Sequence, residues 1–436
     1  MPSTDYSLLL VYLTLFLVFS AYYLRRRTRS QAHNLAILDQ ARSAGYVEPA
    51  SLHPKIDYLR CIGCGSCAKA CPEQNVLGII DGKAHMLDPS HCIGHGACRT
   101  ACPVDAITLV FGSEKRGVDI PFVQPNFETN VPGIFIAGEL GGMGLIRNAI
   151  TQGRQALEAI AKYSGKNPAD VLDVLIVGAG PAGFSASLAA LERKLRFVTV
   201  EQDSLGGTVA HYPRGKVVMT APVQLPIIGK VKIGETSKEA LLAFWEKVAS
   251  QSGVSINYQE RVESVTRDAE RFLVKTTRNT YQTRALLLAI GRRGTPRTLD
   301  VPGEELSKVV YRLVDPEQYR GQHVLVVGGG DSALEAACSI ADEEGSTVSL
   351  SYRSESFSRA KDKNRARVAA AEEAGRLRVL YRSQVKSITA DRVLIEQDGV
   401  LMPLRNDAVI VSAGGVLPTA FLKEMGIQVE TKYGTA

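Results

Sequence analysis

The hydrophobic and polar positions of this 436-residue chain change character twice along its length. Residues 6–24 (YSLLLVYLTLFLVFSAYYL) carry no charge. At helical rise this run would cover about 28 Å, close to the hydrocarbon thickness of a bilayer. Tyr6 at one end and Tyr22 and Tyr23 at the other suit membrane interfaces. The cluster Arg25, Arg26, Arg27 and Arg29 follows at once, which is the reverse of the order in a signal peptide. The pattern therefore predicts a transmembrane helix over 6–24 in a single-pass protein of the cytoplasmic membrane. Its N-terminus would lie outside, with everything after Arg25 in the cytoplasm. A basic juxtamembrane linker is expected over 25–55, with residues 30–45 as a short amphipathic helix or linker.

From Asp173 the pattern becomes apolar strand, glycine turn and helix, in DVLIVGAGPAGFSASLAALERK, followed by a second strand, RFVTVEQ. HVLVVGGGDSALEAACSIADE and TVSLSYR repeat the arrangement. Strands alternating with helices predict parallel sheets covered by helices. The expected fold class is α/β: two Rossmann-like domains, a small α+β domain near residues 56–112, and the N-terminal transmembrane helix. A chain of this length suggests about three domains.

Charge changes little in this picture. The formal net charge is +6. Four of those charges belong to the arginine cluster after the apolar run, so no nucleic-acid partner is indicated. Cysteine changes it a great deal. Seven of the eight cysteines fall between Cys61 and Cys102. Such clustering argues against a disulfide scaffold and for a reducing compartment. The eighth, Cys338, reads as a core thiol in a helix of small residues.

The seven form two runs, Cys61-x2-Cys64-x2-Cys67-x3-Cys71-Pro72 and Cys92-x2-His95-x2-Cys98-x3-Cys102-Pro103. Runs of this kind hold cubane iron–sulfur clusters, the fourth cysteine of each reaching to the other cluster. That logic gives Cys61, Cys64, Cys67 and Cys102 to one cluster. Cys92, Cys98 and Cys71 go to the other, with His95 in the fourth place. His95 either ligates iron or fills space beside a three-iron or open cluster. Structural zinc is the rival reading, although zinc sites usually pair two knuckles across a longer gap. His85 and His91 read as ordinary surface residues.

The first glycine turn, Gly178-x-Gly180-x-x-Gly183 with Pro181 and Ala182 inside it, is followed by Glu201 at the end of the next strand. Such glycines allow a tight turn, close approach of a pyrophosphate and close helix packing, and the acid suits a ribose hydroxyl. The second turn reads Gly328-x-Gly330-Asp331-Ser332-Ala333. Its following strand ends in Tyr352-Arg353, with Arg359 and Lys361 beyond. Cations there favour the 2′-phosphate of NADPH over NADH.

Residues 56–112 resemble a bacterial-type two-cluster ferredoxin, apart from His95. GAGPAG, AIGRRGTPR, GGGDSALEAA and YRSESFSRAK resemble the pyridine nucleotide-disulfide oxidoreductases, nearest the thioredoxin-reductase-like branch. GGTVAHYPRGKVVMTAP and GETSKEALLAFW resemble the bacillithiol-disulfide-reductase-like members. The resemblance implies FAD at the first turn, with Gly207 and Gly291 beside it, and NADPH at the second. His211 and Tyr212 would lie near the flavin or be structural. One segment is out of order. FETNVPGIFIAGELGGMGLIRNAITQGRQALEAIAK, at 127–162, resembles the family's C-terminal FAD-closing segment but precedes the first glycine turn. This implies a circular permutation, with Gly138 and Glu139 in place of the family's Gly-Asp. The FAD-binding domain would be 113–302 completed by 415–436, and the NAD(P)H-binding domain 303–414. The family's redox thiols are missing: the bacillithiol-type position is Ala182, and the NAD(P)H domain holds Cys338 alone. The expected function is electron transfer between NAD(P)H, FAD, two iron–sulfur clusters and a one-electron partner protein or quinone. Disulfide reduction through a partner's thiols and a membrane-anchored redox sensor are the alternatives. A homodimer stays open.

Overall fold

The computed structural model describes the chain apart from residues 1–5, 44–48, 50–51, 74, 93, 114–116, 143, 164–167, 169, 213, 215–216, 220–221, 233, 269–270, 293, 359 and 435–436. The chain divides into two compact units, residues 1–115 with the last three residues, and residues 116–433.

The first unit begins with a single helix, α1 (Tyr6–Ser43). No glycine or proline interrupts residues 6–43, so nothing in the local sequence ends the helix at the arginines. The expected break into span and linker at residue 25 is absent. The membrane assignment is also overturned, and with it the single-pass, cytoplasmic-membrane topology. Among the described residues no helix is long and apolar enough to cross a membrane. From Leu10, where the description of side chains begins, the apolar run reaches Arg25 after 15 residues. That is about 22 Å of helix against a hydrocarbon core of about 30 Å. The C-terminal part of α1 packs on the small domain: Asn34 Nδ2 donates to Ile79 O at 3.0 Å, and Ala41 is buried.

The small domain has two similar halves. β1 (His53–Ile56) enters the first cysteine run, and α2 (Ser66–Ala70) carries Cys67. The hairpin β2 (Leu77–Ile80) and β3 (Lys83–Met86) leads to the second run, where α3 (Ala97–Thr100) carries Cys98. β4 (Ile107–Val110) returns antiparallel to β1. Gly65 and Gly96 begin the two short helices with φ of 77° and 78°, so both runs turn into helix in the same way.

In the second unit, β5 (Val118–Pro121) pairs antiparallel with the C-terminal strand Val429–Lys432. β6 (Ile134–Ile136) leads to α4 (Ile146–Tyr163), then β7 (Leu172–Val177), α5 (Pro181–Glu192) and β8 (Phe197–Val200). The strand Thr280–Leu288 runs parallel to β6 on one side and to β7 on the other, and β8 extends the sheet beyond β7. The apolar runs of β6 and β7 are buried throughout their cores, as expected of parallel strands covered on both faces. A second parallel sheet runs in the order Val309–Val310, Ala408–Val411, His323–Val327, Thr347–Ser351, Leu377–Leu380. A three-stranded antiparallel sheet, Ser383–Ile388 with Arg392–Gln397 and Val400–Arg405, follows it in sequence. The chain passes between the two nucleotide-type sheets along the short antiparallel pair Thr295–Pro296 and Gly415–Val416.

Candidate functional site

The thiols of Cys61, Cys64, Cys67 and Cys102 line one cavity, walled by apolar side chains such as Ile79, Val104 and Ile107. Sequence neighbours supply three of the four, and the turn back into β4 supplies Cys102. Backbone amides point at the sulfurs: Ala84 N–H donates to Cys61 Sγ at 3.4 Å and Ala106 N–H to Cys102 Sγ at 3.3 Å. Such bonds tune the potential of a bound cluster. Lys83 Nζ fixes the loop by donating to Cys61 O at 2.7 Å. The second set has no exposed cysteine to match Cys64. Cys92 and Cys98 are buried, and Cys71 is half-buried. Burial raises the Cys98 thiol to about 11, and the charges of nearby Cys92, Cys71 and Cys67 add to this. Burial likewise raises Cys92, with Cys71 contributing. Burial and mutual repulsion favour the protonated thiols here, so a cluster bound by them as thiolates would displace protons and supply the compensating positive charge. His95 Nε2 is a buried nitrogen on the loop between Cys92 and Cys98. Among the described residues no three such side chains converge closely enough to hold one metal ion; the first set instead surrounds the cavity. His91 lies 3.5 Å from Asp88, and the His85 ring lies against Tyr58 at 5.1 Å.

The first glycine turn is shaped by backbone contact. A Cβ on Gly183 would lie 1.8 Å from Gly178 O, and one on Gly178 2.6 Å from Ala289 O, so strand, turn and helix meet with no space for side chains. Gly180 differs: a Cβ there would meet nothing nearer than Gly207 Cα at 3.8 Å. Gly180 and Gly207 stand backbone to backbone, a Cβ on Gly207 lying 3.0 Å from Gly180 Cα, and this cradle of glycine backbone at the N-terminus of α5 leaves room for a pyrophosphate to approach it. Pro181 opens that helix, and Ala182 follows it into the buried face. Glu201 is buried at the end of β8 and accepts from Ala179 N–H at 2.7 Å and Asp203 N–H at 2.9 Å. Its carboxyl is raised by burial, against the pull of those amides.

The segment ahead of this turn packs directly on it. Gly138, with φ of 85°, would place a Cβ 2.9 Å from Ala182 Cβ. A Cβ on Gly153 of α4 would lie 2.0 Å from Ala182 O. Gly138 N–H donates to Gln152 Oε1 at 2.9 Å, and the Glu139 carboxylate lies over Gly144. Arg292, next to Gly291, is charge-coupled to Glu139 and donates to Asp119 O at 2.8 Å. Sequence reading missed Arg292 and Asp119. Asp119 also accepts from Thr431 Oγ1 at 2.7 Å, a contact across 312 residues that no local pattern announces. His211 meets Arg312 and lies 3.2 Å from Asp203, while Tyr212 O accepts from Lys238 Nζ at 2.5 Å.

At the second turn, Gly328 would place a Cβ 2.3 Å from Ser412 O, whereas Gly330 has nothing within 4 Å. Ala333 is buried and Ser332 exposed. Asp331 serves the scaffold: its Oδ1 accepts from Lys361 N–H at 2.8 Å and Asn364 Nδ2 at 2.7 Å, binding the basic loop to the turn. The Tyr352 ring covers Gly329 and stacks on Phe357 at 5.4 Å. Arg353 is exposed. Arg359 lies outside the described residues. Cys338, 3% exposed, is a core side chain.

Residues 175–435 match the family described as pyridine nucleotide-disulphide oxidoreductase. The chain belongs to the pyridine nucleotide-disulphide oxidoreductases. Residues 53–103 of the oxidoreductase match a 4Fe-4S dicluster domain. It is thus an iron–sulfur flavoprotein oxidoreductase, FAD-dependent, with a mixed α/β fold and a ferredoxin-like region. It is 32% identical over 275 residues to a ferredoxin–NADP reductase of Thermus thermophilus, covering 60% of this chain and 78% of that one. A ferredoxin–NADP reductase of Ignicoccus hospitalis is 33% identical over 186 residues, a match spanning 42% of this chain and only 57% of the relative. Among solved structures, a bacillithiol disulfide reductase from Staphylococcus aureus superposes with a TM-score of 0.52 at 26% identity, over 58% of this chain and 80% of that one.

Proposed function

We propose that this oxidoreductase moves electrons between NADPH and a ferredoxin-type one-electron partner, through FAD and two 4Fe-4S clusters bound by its own chain. The observation that carries this is the distribution of thiols. Seven cysteines stand in the two cluster runs, and the eighth, Cys338, is closed in a core. Bound FAD supplies hydride acceptance and release of electrons one at a time, and iron–sulfur clusters carry single electrons. In this reading Gly180 and Gly207 receive the FAD pyrophosphate, and Glu201 holds its ribose. Gly330 and Arg353 receive the NADPH phosphates, and His95 completes the second cluster.

We infer also that residues 127–162 close the FAD site from ahead of the first glycine turn, as a circular permutation requires. Support comes from the parallel pairing of β6 with Thr280–Leu288 and from the contact of Gly153 with Ala182. In the same reading 415–436 completes the FAD domain and 303–414 forms the NADPH domain.

Disulfide reduction, the activity named for the Staphylococcus aureus relative, would need a thiol at the flavin, where Ala182 stands. The test is anaerobic NADPH oxidation by purified holoprotein with either a ferredoxin or bacillithiol disulfide as acceptor. Ferredoxin reduction without thiol production is expected; thiol production with no ferredoxin reduction would overturn the reading.

A further inference from the structure

The two cysteine sets differ in their access to solvent at one ligand. Cys61 and Cys67 are 8% and 6% exposed and Cys92 and Cys98 are 9% and 4% exposed, whereas Cys64 is an exposed residue. The loop leading to Cys64 also exposes large apolar side chains: Tyr58 at 49%, Leu59 at 96% and Ile62 at 63%. A single exposed leucine needs no explanation, but three large apolar groups on one short loop beside an exposed cluster ligand form a patch. Within residues 55–69 the exposed charges are Lys55, Arg60 and Lys69 against Asp57, and the adjoining turns expose Asp81 and Asp105. Asp57 and Arg60 pair with each other at 3.5 Å, and the Asp57 carboxylate also accepts from Leu59 N–H at 2.9 Å.

We propose that the 58–64 loop, with Arg60 and Lys69, is the docking face for a small acidic one-electron carrier protein, which meets the Cys61–Cys64–Cys67–Cys102 cluster rather than the one beside His95. The inference rests on the one-electron function proposed above and adds to it where the partner binds. A few apolar contacts inside a charged rim suit the small, short-lived interfaces of electron-transfer pairs. Opposite charge would speed encounter, and the exposed ligand would bring the partner's centre close without rearrangement.

Calorimetry of the oxidised holoprotein with an acidic plant-type [2Fe–2S] ferredoxin tests this without turnover. Wild type should bind, and more weakly as salt rises. The double variant R60E/K69E should weaken binding about tenfold or more, and Leu59→Ser roughly threefold to tenfold. Iron content, cluster EPR signals and NADPH-dependent ferricyanide reduction should stay unchanged. Wild-type affinity in both variants would overturn the docking face alone. Failure of the wild type to bind any ferredoxin would overturn both the face and the one-electron partner. Slower NADPH-driven cluster reduction in the variants, with no ferredoxin present, would also overturn it, because the loop would then serve the internal route.

Discussion

One methyl group added at Gly183 or at Gly180 should separate the two tasks of the first glycine turn. At Gly183 the new carbon would lie 1.8 Å from the carbonyl oxygen of Gly178, and ordinary contact begins near 3.4 Å. Helix α5 and the turn must then part by about 1.6 Å, which a close-packed core resists. Overpacking of this kind costs about 1–3 kcal/mol, so Gly183→Ala should lower the Tm of the FAD-free protein by roughly 2–10 °C. Gly180 has φ of −69° and ψ of −176°, an extended conformation open to alanine, with Gly207 Cα the nearest atom at 3.8 Å. Gly180→Ala should therefore leave the FAD-free protein within about 0.5 kcal/mol of wild type. Its methyl group would stand in the cradle meant for the pyrophosphate. FAD affinity should fall at least about tenfold, or about 1.4 kcal/mol. Thermal unfolding of the FAD-free protein and fluorescence titration with FAD measure the two effects separately. Gly180→Ala protein that binds FAD like wild type would refute the assignment of the cradle.

The remaining predictions concern the other sites. Arg353→Ser should raise KM for NADPH about tenfold and leave KM for NADH within about twofold, measured by steady-state kinetics with ferricyanide; equal changes for both would remove Arg353 from the 2′-phosphate site. Burial holds the Glu201 carboxyl above its ordinary 4.5, so the folded chain binds a proton there more tightly than the unfolded chain. Glu201 therefore contributes a gain in stability as pH falls from neutral through that raised value, and Glu201→Gln should remove this slope in thermal unfolding of the FAD-free protein. His95→Ala should lose one iron from the second cluster and give a three-iron EPR signal on oxidation, whereas His95→Cys should keep four irons at a lower potential. An unchanged iron count in His95→Ala would make His95 a space-filling residue.

Much of the candidate site was legible because its chemistry is local. Three cysteines at spacings of three residues can reach one cavity whatever the rest of the chain does, and the glycines mark places where backbones touch. The association of distant Cys102 with Cys61, Cys64 and Cys67 followed from the exchange of ligands between neighbouring clusters. What escaped depends on contacts between remote segments. Arg292 and Asp119 meet across 173 residues, and β5 finds its partner only at the C-terminus. Asp331 shows a different limit: its place in the turn made it a cofactor-binding candidate, but its carboxylate accepts from Lys361 and Asn364. The N-terminal apolar run misled because hydropathy marks a helix without fixing where it ends. α1 continues for 19 residues beyond Leu24, through the arginines and onto the small domain.

In the proposed route the two electrons of the hydride taken from NADPH leave one at a time through clusters on the same chain, and the proton is released to solvent. Anaerobic addition of NADPH to holoprotein, followed by absorbance and low-temperature EPR on the same sample, tests it most directly. Flavin bleaching together with the appearance of reduced-cluster EPR signals is the predicted result. Flavin bleaching with both clusters left oxidised would contradict it.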